Sequence, residues 1–185
     1  MRRIPTDIDG VVIFEPRVFA DDRGYFIETF RSDRYADHGL VQAFQQDNLS
    51  VSRKGTLRGL HYQLPQAQAK LVQVLQGEVL DVAVDIRRGS PTFGRAVVVT
   101  LSEANHLQLF IPEGFAHGFC VTSERALFVY KCSRPYAPEC EGGVLWNDPA
   151  LALPWPVSAP LLSPKDRDYP RLADIPADRL PVFSG

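Results

Sequence analysis

Histidine is the side chain whose unperturbed pKa, near 6.5, lets it take or give a proton around neutral pH, so acid–base or metal chemistry in this sequence is sought first at its histidines. His61 lies in Arg58-Gly59-Leu60-His61-Tyr62-Gln63, a strand-like run behind the turn signal Arg53-Lys54-Gly55. At a period of two its ring shares a face with Gly59 and Gln63, and that face is polar and small at one end. His117 follows Pro112-Glu113-Gly114-Phe115-Ala116, a turn that delivers the chain into a strand ending at Phe119-Cys120-Val121. Taken alone, either histidine serves a hydrogen-bonded structural role as readily as a catalytic one. Lys70 and Tyr130 add a cation and a phenol to the pair. By themselves they read equally well as a solvated edge lysine and as a core tyrosine alternating with Phe128.

Strands must carry these groups, because the dominant hydrophobic period is two. Leu80, Val82, Val84 and Ile86 share one face while Asp81 and Asp85 lie on the other, which predicts a half-buried antiparallel strand over 79–86. Similar alternation marks 70–76, 94–102, 106–111 and 125–131, separated by Gly77, Arg88-Gly89-Ser90-Pro91, Glu103-Ala104-Asn105 and Pro112-Glu113-Gly114. Short strands so spaced predict a mainly β sandwich or barrel. One short helix is expected from a Ser32 cap to about His38, ended by Gly39. Eight of the 15 prolines fall between Pro149 and Pro181, so the C-terminal segment is expected to wrap the barrel as extended chain. No repeat or linker divides residues 1–185, which read as one domain.

Twenty basic and 22 acidic residues leave a formal charge of −2, a balance that argues against nucleic acid or an anionic membrane surface as partner. The N-terminus lacks an apolar export core, and no apolar run approaches the ~18 residues of a membrane span. Cys120, Cys132 and Cys140 form an odd set without a CxxC spacing, which fits reduced thiols in the cytoplasm.

The spacing Pro112-x-Gly114-x-x-His117 resembles the second signature of the cupin superfamily, small barrels whose mouths often hold a metal. Metal-binding cupins present a second histidine two residues beyond the first and a carboxylate soon after, because a divalent ion needs three or four converging ligands. Here Gln63 stands at that position and no acidic residue follows before Glu78, so no metal is expected.

A closer resemblance covers nearly the whole chain. Eight segments occur in family order: 22–28, 46–48, 58–63, 77–87, 90–94, 111–119, Trp146-Asn147-Asp148-Pro149 and Ser163-Pro164-Lys165-Asp166. Together they resemble the dTDP-4-dehydrorhamnose 3,5-epimerase family. The resemblance implies a metal-free cupin jelly roll, a cytoplasmic homodimer, and a dTDP-4-keto-6-deoxy sugar as substrate in dTDP-L-rhamnose biosynthesis. The hydrogens on carbons 3 and 5 of such a sugar flank the carbonyl, so removing either leaves an enolate on the carbon 4 oxygen, and neither metal nor redox cofactor is called for. The chemistry wants a base on one face, a proton donor on the other, and a cation at the enolate oxygen. Carried over by motif, His61 is the base, Tyr130 the opposing acid and Lys70 the enolate stabiliser. Asp166, by composition alone a surface charge, matches the family's partner to His61.

For the nucleoside diphosphate, the resemblance nominates Arg23, Arg58 and His117 for the pyrophosphate, Glu28, Gln46 and Asn48 for hydrogen bonds, and Phe26 and Tyr136 for packing or stacking on the base. Some N-terminal contacts of the family are thought to cross the dimer interface. Many relatives carry glycine before the lysine and a basic or polar residue three beyond it, whereas this chain has Ala69 and Gln73 and no glycine in the 65–69 loop. Relatives that epimerise carbon 3 alone share most of the motifs. A metal-dependent cupin oxygenase and a non-catalytic sugar-nucleotide binding module are the alternatives outside this class.

Overall fold

The computed structural model describes residues 1–184. Its strands are β1 (Arg2–Pro5), β2 (Val12–Glu15), β3 (Val18–Asp21), β4 (Gly24–Ile27), β5 (Gln46–Arg53), β6 (Leu57–Gln63), β7 (Lys70–Gln76), β8 (Glu78–Asp85), β9 (Ala96–Ser102), β10 (Gln108–Ile111), β11 (Phe115–Val121), β12 (Arg125–Cys132) and β13 (Glu141–Gly143). Two helices of five residues each are present, α1 (Ser32–Ala36) and α2 (Pro164–Asp168). A six-stranded antiparallel sheet runs β1-β2-β10-β7-β12-β5 and a five-stranded one β13-β6-β11-β8-β9, while β3 and β4 form a separate hairpin. This is the mainly β, cupin-type architecture expected from the strand spacing and signatures.

The two sheets face each other across an apolar core. Val72, Val74, Leu109 and Phe128 come from the six-stranded side, and Val79, Ala83, Leu101, Phe115 and Phe119 from the other. A second core lies on the far side of the five-stranded sheet, where Val82, Val84, Ile86 and Ala116 meet Leu172, Ile175 and Leu180 of the C-terminal segment. That segment is not simply extended, because α2 and two short 3-10 turns at Leu172–Asp174 and Ala177–Arg179 punctuate it.

This second covering layer corrects the reading of β8 as half-buried. Its apolar face lies under the C-terminal segment, and its acidic face points between the sheets, so both Asp81 and Asp85 are fully buried. Each has a partner there, Asp81 the His117 ring and Asp85 the Arg87 guanidinium. Helix α1 forms where expected and stops before Gly39, which has φ +84°, but Ser32 is its first helical residue and makes no cap bond; Arg31 occupies the cap. Its anchor is Tyr35, buried and donating to Gln108 Oε1 at 2.5 Å. Strands β1 to β5 were not signalled by the alternation.

Candidate active site

The chemistry-bearing side chains come from both sheets. On the five-stranded side, β6 and β11 pair so that His61 and His117 stand opposite one another. On the six-stranded side, β12 sets Tyr130 against Asn48 of β5, and Cys132 lies between Lys70 of β7 and Gln46 of β5. Close approach of β6 to β11 depends on glycine. Gly59 has φ +121°, and a Cβ there would meet Gly118 Cα at 2.5 Å. Any side chain at either position would prise apart the strands that align the two histidines.

A cavity of about 320 Å³ opens between the sheets, lined by His61, Gln63, Lys70 and Tyr130 and, toward its mouth, by Gln46, Asn48, Gln68, Tyr136, Glu141 and Lys165. An adjoining chamber of about 150 Å³ shares His61, Lys70 and Tyr130 and is completed by Ser50, Arg58, His117, Phe119 and Phe128. The three shared residues therefore stand at the junction of two compartments.

His61 Nε2 lies 2.5 Å from Asp166 Oδ1. The Asp166 side chain is 5% exposed, while the His61 ring keeps about a third of its side-chain surface open. Burial alone would push the Asp166 carboxyl upward, but the hydrogen bond and charge of His61, with the Ser163 hydroxyl and Lys165, hold it below the usual carboxylate value. An ionised Asp166 keeps a proton on the facing ring nitrogen and leaves the other nitrogen as an acceptor. The aspartate is delivered by α2, whose Ser163 cap accepts from the Asp166 N–H at 3.1 Å.

A second dyad sits deeper. His117 is 6% exposed, and its Nε2 is 3.0 and 3.1 Å from the two oxygens of Asp81. Burial lowers its pKa against the pull of Asp81, and the charges of Lys70 and His61 add to the lowering. Burial likewise lowers Lys70, opposed by Cys132, Asp81 and Glu141. The Tyr130 hydroxyl is raised by burial, which keeps it protonated at neutral pH and therefore a donor. Arg58 is exposed at the chamber's rim, with its Nε donating to Ser52 Oγ at 3.1 Å.

Of the residues nominated from sequence, His61, Lys70, Tyr130, Gln46, Asn48 and Tyr136 line the main cavity, Arg58 and His117 line the chamber, and Asp166 backs His61. Arg23, Phe26 and Glu28 line neither. Arg23 is on the tip of the β3–β4 hairpin, paired with Asp21 at 2.6 Å, and Phe26 is 66% exposed on the same hairpin. Glu28 faces Arg34 at 2.9 Å and Arg31 at 3.7 Å.

Sequence reasoning overlooked Glu141. Its carboxylate accepts from Tyr169 Oη at 2.6 Å and from the Tyr136 hydroxyl, and it pairs with Lys165. Burial would raise its pKa, yet these three donors hold it at about 2. The Tyr169 ring lies edge-on to His61 with centroids 5.8 Å apart, over Gly143, where a Cβ would collide with the ring at 2.4 Å. Glu141 thus ties the cavity mouth to the helix that carries Asp166. The adjacent glycines of Glu141-Gly142-Gly143 were the available signal, since paired glycines in a strand mark a place where other groups approach closely.

Gln63 acts in loop packing. Its amide accepts from the Ala137 N–H at 2.9 Å and donates to Gln66 O at 2.8 Å. Among the described residues no group of three or more His, Cys, Asp or Glu is arranged to hold a metal ion. Nor is any helix long and apolar enough to cross a membrane.

Comparison with known proteins supports the same chemistry. A sequence model described as dTDP-4-dehydrorhamnose 3,5-epimerase matches residues 5–174. A Shigella flexneri protein named dTDP-4-dehydrorhamnose 3,5-epimerase is 54% identical over 176 residues, covering 94% of this chain and 97% of its own. A Streptomyces niveus dTDP-4-dehydrorhamnose 3-epimerase is 41% identical, covering 100% of this chain and 90% of its own. The crystal structure of a Legionella pneumophila dTDP-6-deoxy-D-glucose-3,5-epimerase in complex with dTDP-4-keto-L-rhamnose superposes with a TM-score of 0.97 at 51% identity, covering 100% of this chain and 99% of that one. With the fold, the facing sheets and relatives matched over almost their full length, this chain belongs to the dTDP-4-dehydrorhamnose 3,5-epimerase family.

Proposed function

We propose that the protein is an isomerase that inverts carbons 3 and 5 of dTDP-4-dehydro-6-deoxy-D-glucose to give dTDP-4-dehydro-L-rhamnose. The carrying observation is that His61, backed by Asp166, and Tyr130 rise from facing sheets into one cavity with Lys70 between the compartments. Inversion needs a proton removed from one face of the sugar and another delivered to the opposite face. His61 takes the proton from carbon 3 or 5, and Asp166 stabilises the imidazolium that forms. Lys70 meets the charge that develops on the carbon 4 oxygen, and Tyr130 delivers the new proton.

The nucleoside diphosphate is assigned to the cavity mouth, where Gln46, Asn48 and Tyr136 offer hydrogen bonds and a flat ring, with the Arg58 guanidinium at the rim of the adjoining chamber. His117, with Asp81 against it, is ill suited to a phosphate and is assigned to the sugar end. Arg23, Phe26 and Glu28 fit the reading if the protein is a homodimer whose N-terminal segment completes the site of the other copy. The exposed Phe19, Tyr25 and Phe26 of the hairpin and Leu49, Val51 and Leu75 of the six-stranded sheet are the apolar surface such a dimer would cover. Residues 1–185 work as one domain in the cytoplasm, a location that suits three free thiols.

Epimerisation at carbon 3 alone is the second reading, favoured by the full-length match to the Streptomyces niveus 3-epimerase. NMR of dTDP-4-keto-6-deoxyglucose incubated with the protein in deuterium oxide tests both. Deuterium at carbons 3 and 5 with inversion at both is expected. Incorporation at carbon 3 only establishes the second reading, and no incorporation refutes both.

A further inference from the structure

The 150 Å³ chamber contains a group that the reaction scheme leaves unused. Ser50 Oγ is buried and has no hydrogen-bond partner among the described residues. Burying a hydroxyl unpaired is costly, so such an atom calls for an explanation. Glu28 Oε1 is also buried without a hydrogen bond, but it faces the Arg34 guanidinium at 2.9 Å. Ser50 has no such counter-group.

Its place in the fold directs the hydroxyl inward. Asn48, Ser50 and Ser52 alternate along β5, and each is turned toward the space between the sheets. Asn48 lines the main cavity, Ser50 lines the chamber, and Ser52 is buried and accepts from Arg58 Nε. Beside Ser50 the chamber is walled by Phe119 and Phe128, stacked with centroids 4.1 Å apart. A hydroxyl next to an apolar wall suits a deoxysugar ring better than a phosphate.

We infer that Ser50 is a substrate-binding residue whose hydroxyl hydrogen-bonds the carbon 2 hydroxyl of the sugar, anchoring the ring while its other centres invert. The inference rests on the epimerase reading and adds to it an anchor and a preference among sugars. Carbon 2 is selected by the chemistry. The carbon 3 hydroxyl changes sides when its centre inverts, carbon 4 is the carbonyl that Lys70 meets, and carbon 5 has no hydroxyl, only the methyl group, the ring oxygen and the hydrogen that is exchanged. The carbon 2 hydroxyl alone keeps its configuration in substrate, enolates and product, so a fixed donor can hold it throughout.

An orphan hydroxyl kept for a ligand leaves a signature opposite to that of a structural one. Ser50→Ala should leave the melting temperature unchanged or raise it, because it deletes an unsatisfied buried group, while lowering kcat/KM about 10- to 100-fold. The decisive experiment is a cycle of wild type and Ser50→Ala against the normal substrate and its 2-deoxy analogue. Each single change is expected to cost about 10- to 100-fold, and the two together little more than either. Ser50→Thr retains the hydroxyl and should recover part of the loss on the normal substrate.

Losses that multiply in the double change overturn the inference, as does a Ser50→Ala protein that melts lower and is impaired equally on both substrates. The wild-type protein on the normal substrate separates the two levels of the argument. If it exchanges and inverts, failure of the cycle refutes the anchor alone; if it does neither, the epimerase reading falls and takes the anchor with it.

Discussion

Replacing Tyr130 by phenylalanine separates two events that a single rate blurs. Exchange with solvent needs only that His61 remove a proton and return one to the same face, whereas inversion needs a second donor on the other face. Tyr130 is on the sheet opposite His61, and burial holds its hydroxyl above the ordinary tyrosine pKa, so it carries a proton to give. Deleting the oxygen leaves the ring, which packs 5.8 Å from Phe128, and removes no buried apolar contact. Stability should change by less than about 0.5 kcal/mol. Loss of one positioned acid costs on the order of 10²–10⁴-fold, or about 3–5 kcal/mol of barrier, and that loss should fall on inversion. Deuterium incorporation at carbons 3 and 5 should fall much less. The assay is one NMR sample in deuterium oxide, read for both exchange and product stereochemistry. Equal losses in the two would refute the donor role and make Tyr130 a residue that holds the substrate.

Three further perturbations test the surroundings. Asp166→Asn should lower exchange and inversion together by about 10²–10⁴-fold while the fold, followed by circular dichroism, persists, because the aspartate orients and charges His61 without touching the sugar. Unchanged exchange would detach the dyad from catalysis. Asp85, despite its burial, is held at about 2 by Arg87, Ser90 and Thr92. A depressed folded pKa means stability present above the unfolded value near 3.9 and lost as pH falls toward 2, worth about 2–3 kcal/mol. Urea midpoints between pH 6 and pH 2 should fall accordingly, and less steeply in Asp85→Asn; identical slopes would contradict the assignment. Glu141→Gln should loosen the helix bearing Asp166 and lower kcat by about tenfold, with deuterium exchange falling in step, since about 1.4 kcal/mol separates well-held from poorly held geometry at that level. Exchange at the wild-type rate would show that the clamp does not reach His61.

Most strands that carry chemistry were legible because apolar residues alternate in them, cleanly in 79–86 and less so in 70–76 and 125–131; β5 was not, because it turns the polar Asn48, Ser50 and Ser52 inward and leaves Leu49 and Val51 exposed. Strand β8 was legible as a strand but not in its surroundings. Alternation reports two unlike faces; it does not say that a proline-rich segment some 90 residues on will cover the apolar one and turn the acidic one inward. Strands β1 to β4 are only four residues each and, unlike the equally short β10 within 106–111, lie in no longer alternating run, and β3 and β4 expose much of their surface. Asp166 was found by its motif and not by its chemistry, because a charge between Lys165 and Arg167 looks like surface until α2 folds back on β6. Glu141 was missed for a related reason. Its three donors are spread over Tyr136, Lys165 and Tyr169, and no local pattern announces that they meet.

The placement of charge within the fold accounts for why a two-sheet scaffold suits this reaction. A single sheet presents side chains to one side of a ligand, so a base and an acid on the same strands would return a proton to the face it left. In the proposed scheme the base, His61, belongs to β6 and the acid, Tyr130, to β12, and the sheets holding them are separated by the apolar layer of Val72, Ala83, Phe119 and Phe128. The same layer lowers the local dielectric around Lys70, His117 and Asp81, which strengthens any interaction with an enolate oxygen and makes each unpaired charge costly. The pairs His117–Asp81 and His61–Asp166 lessen that cost by setting each carboxylate against an imidazole. Lys70 faces the cavity where the two compartments join, and in the proposed scheme it is there that the carbon 4 oxygen gathers negative charge as carbon 3 or carbon 5 loses its proton.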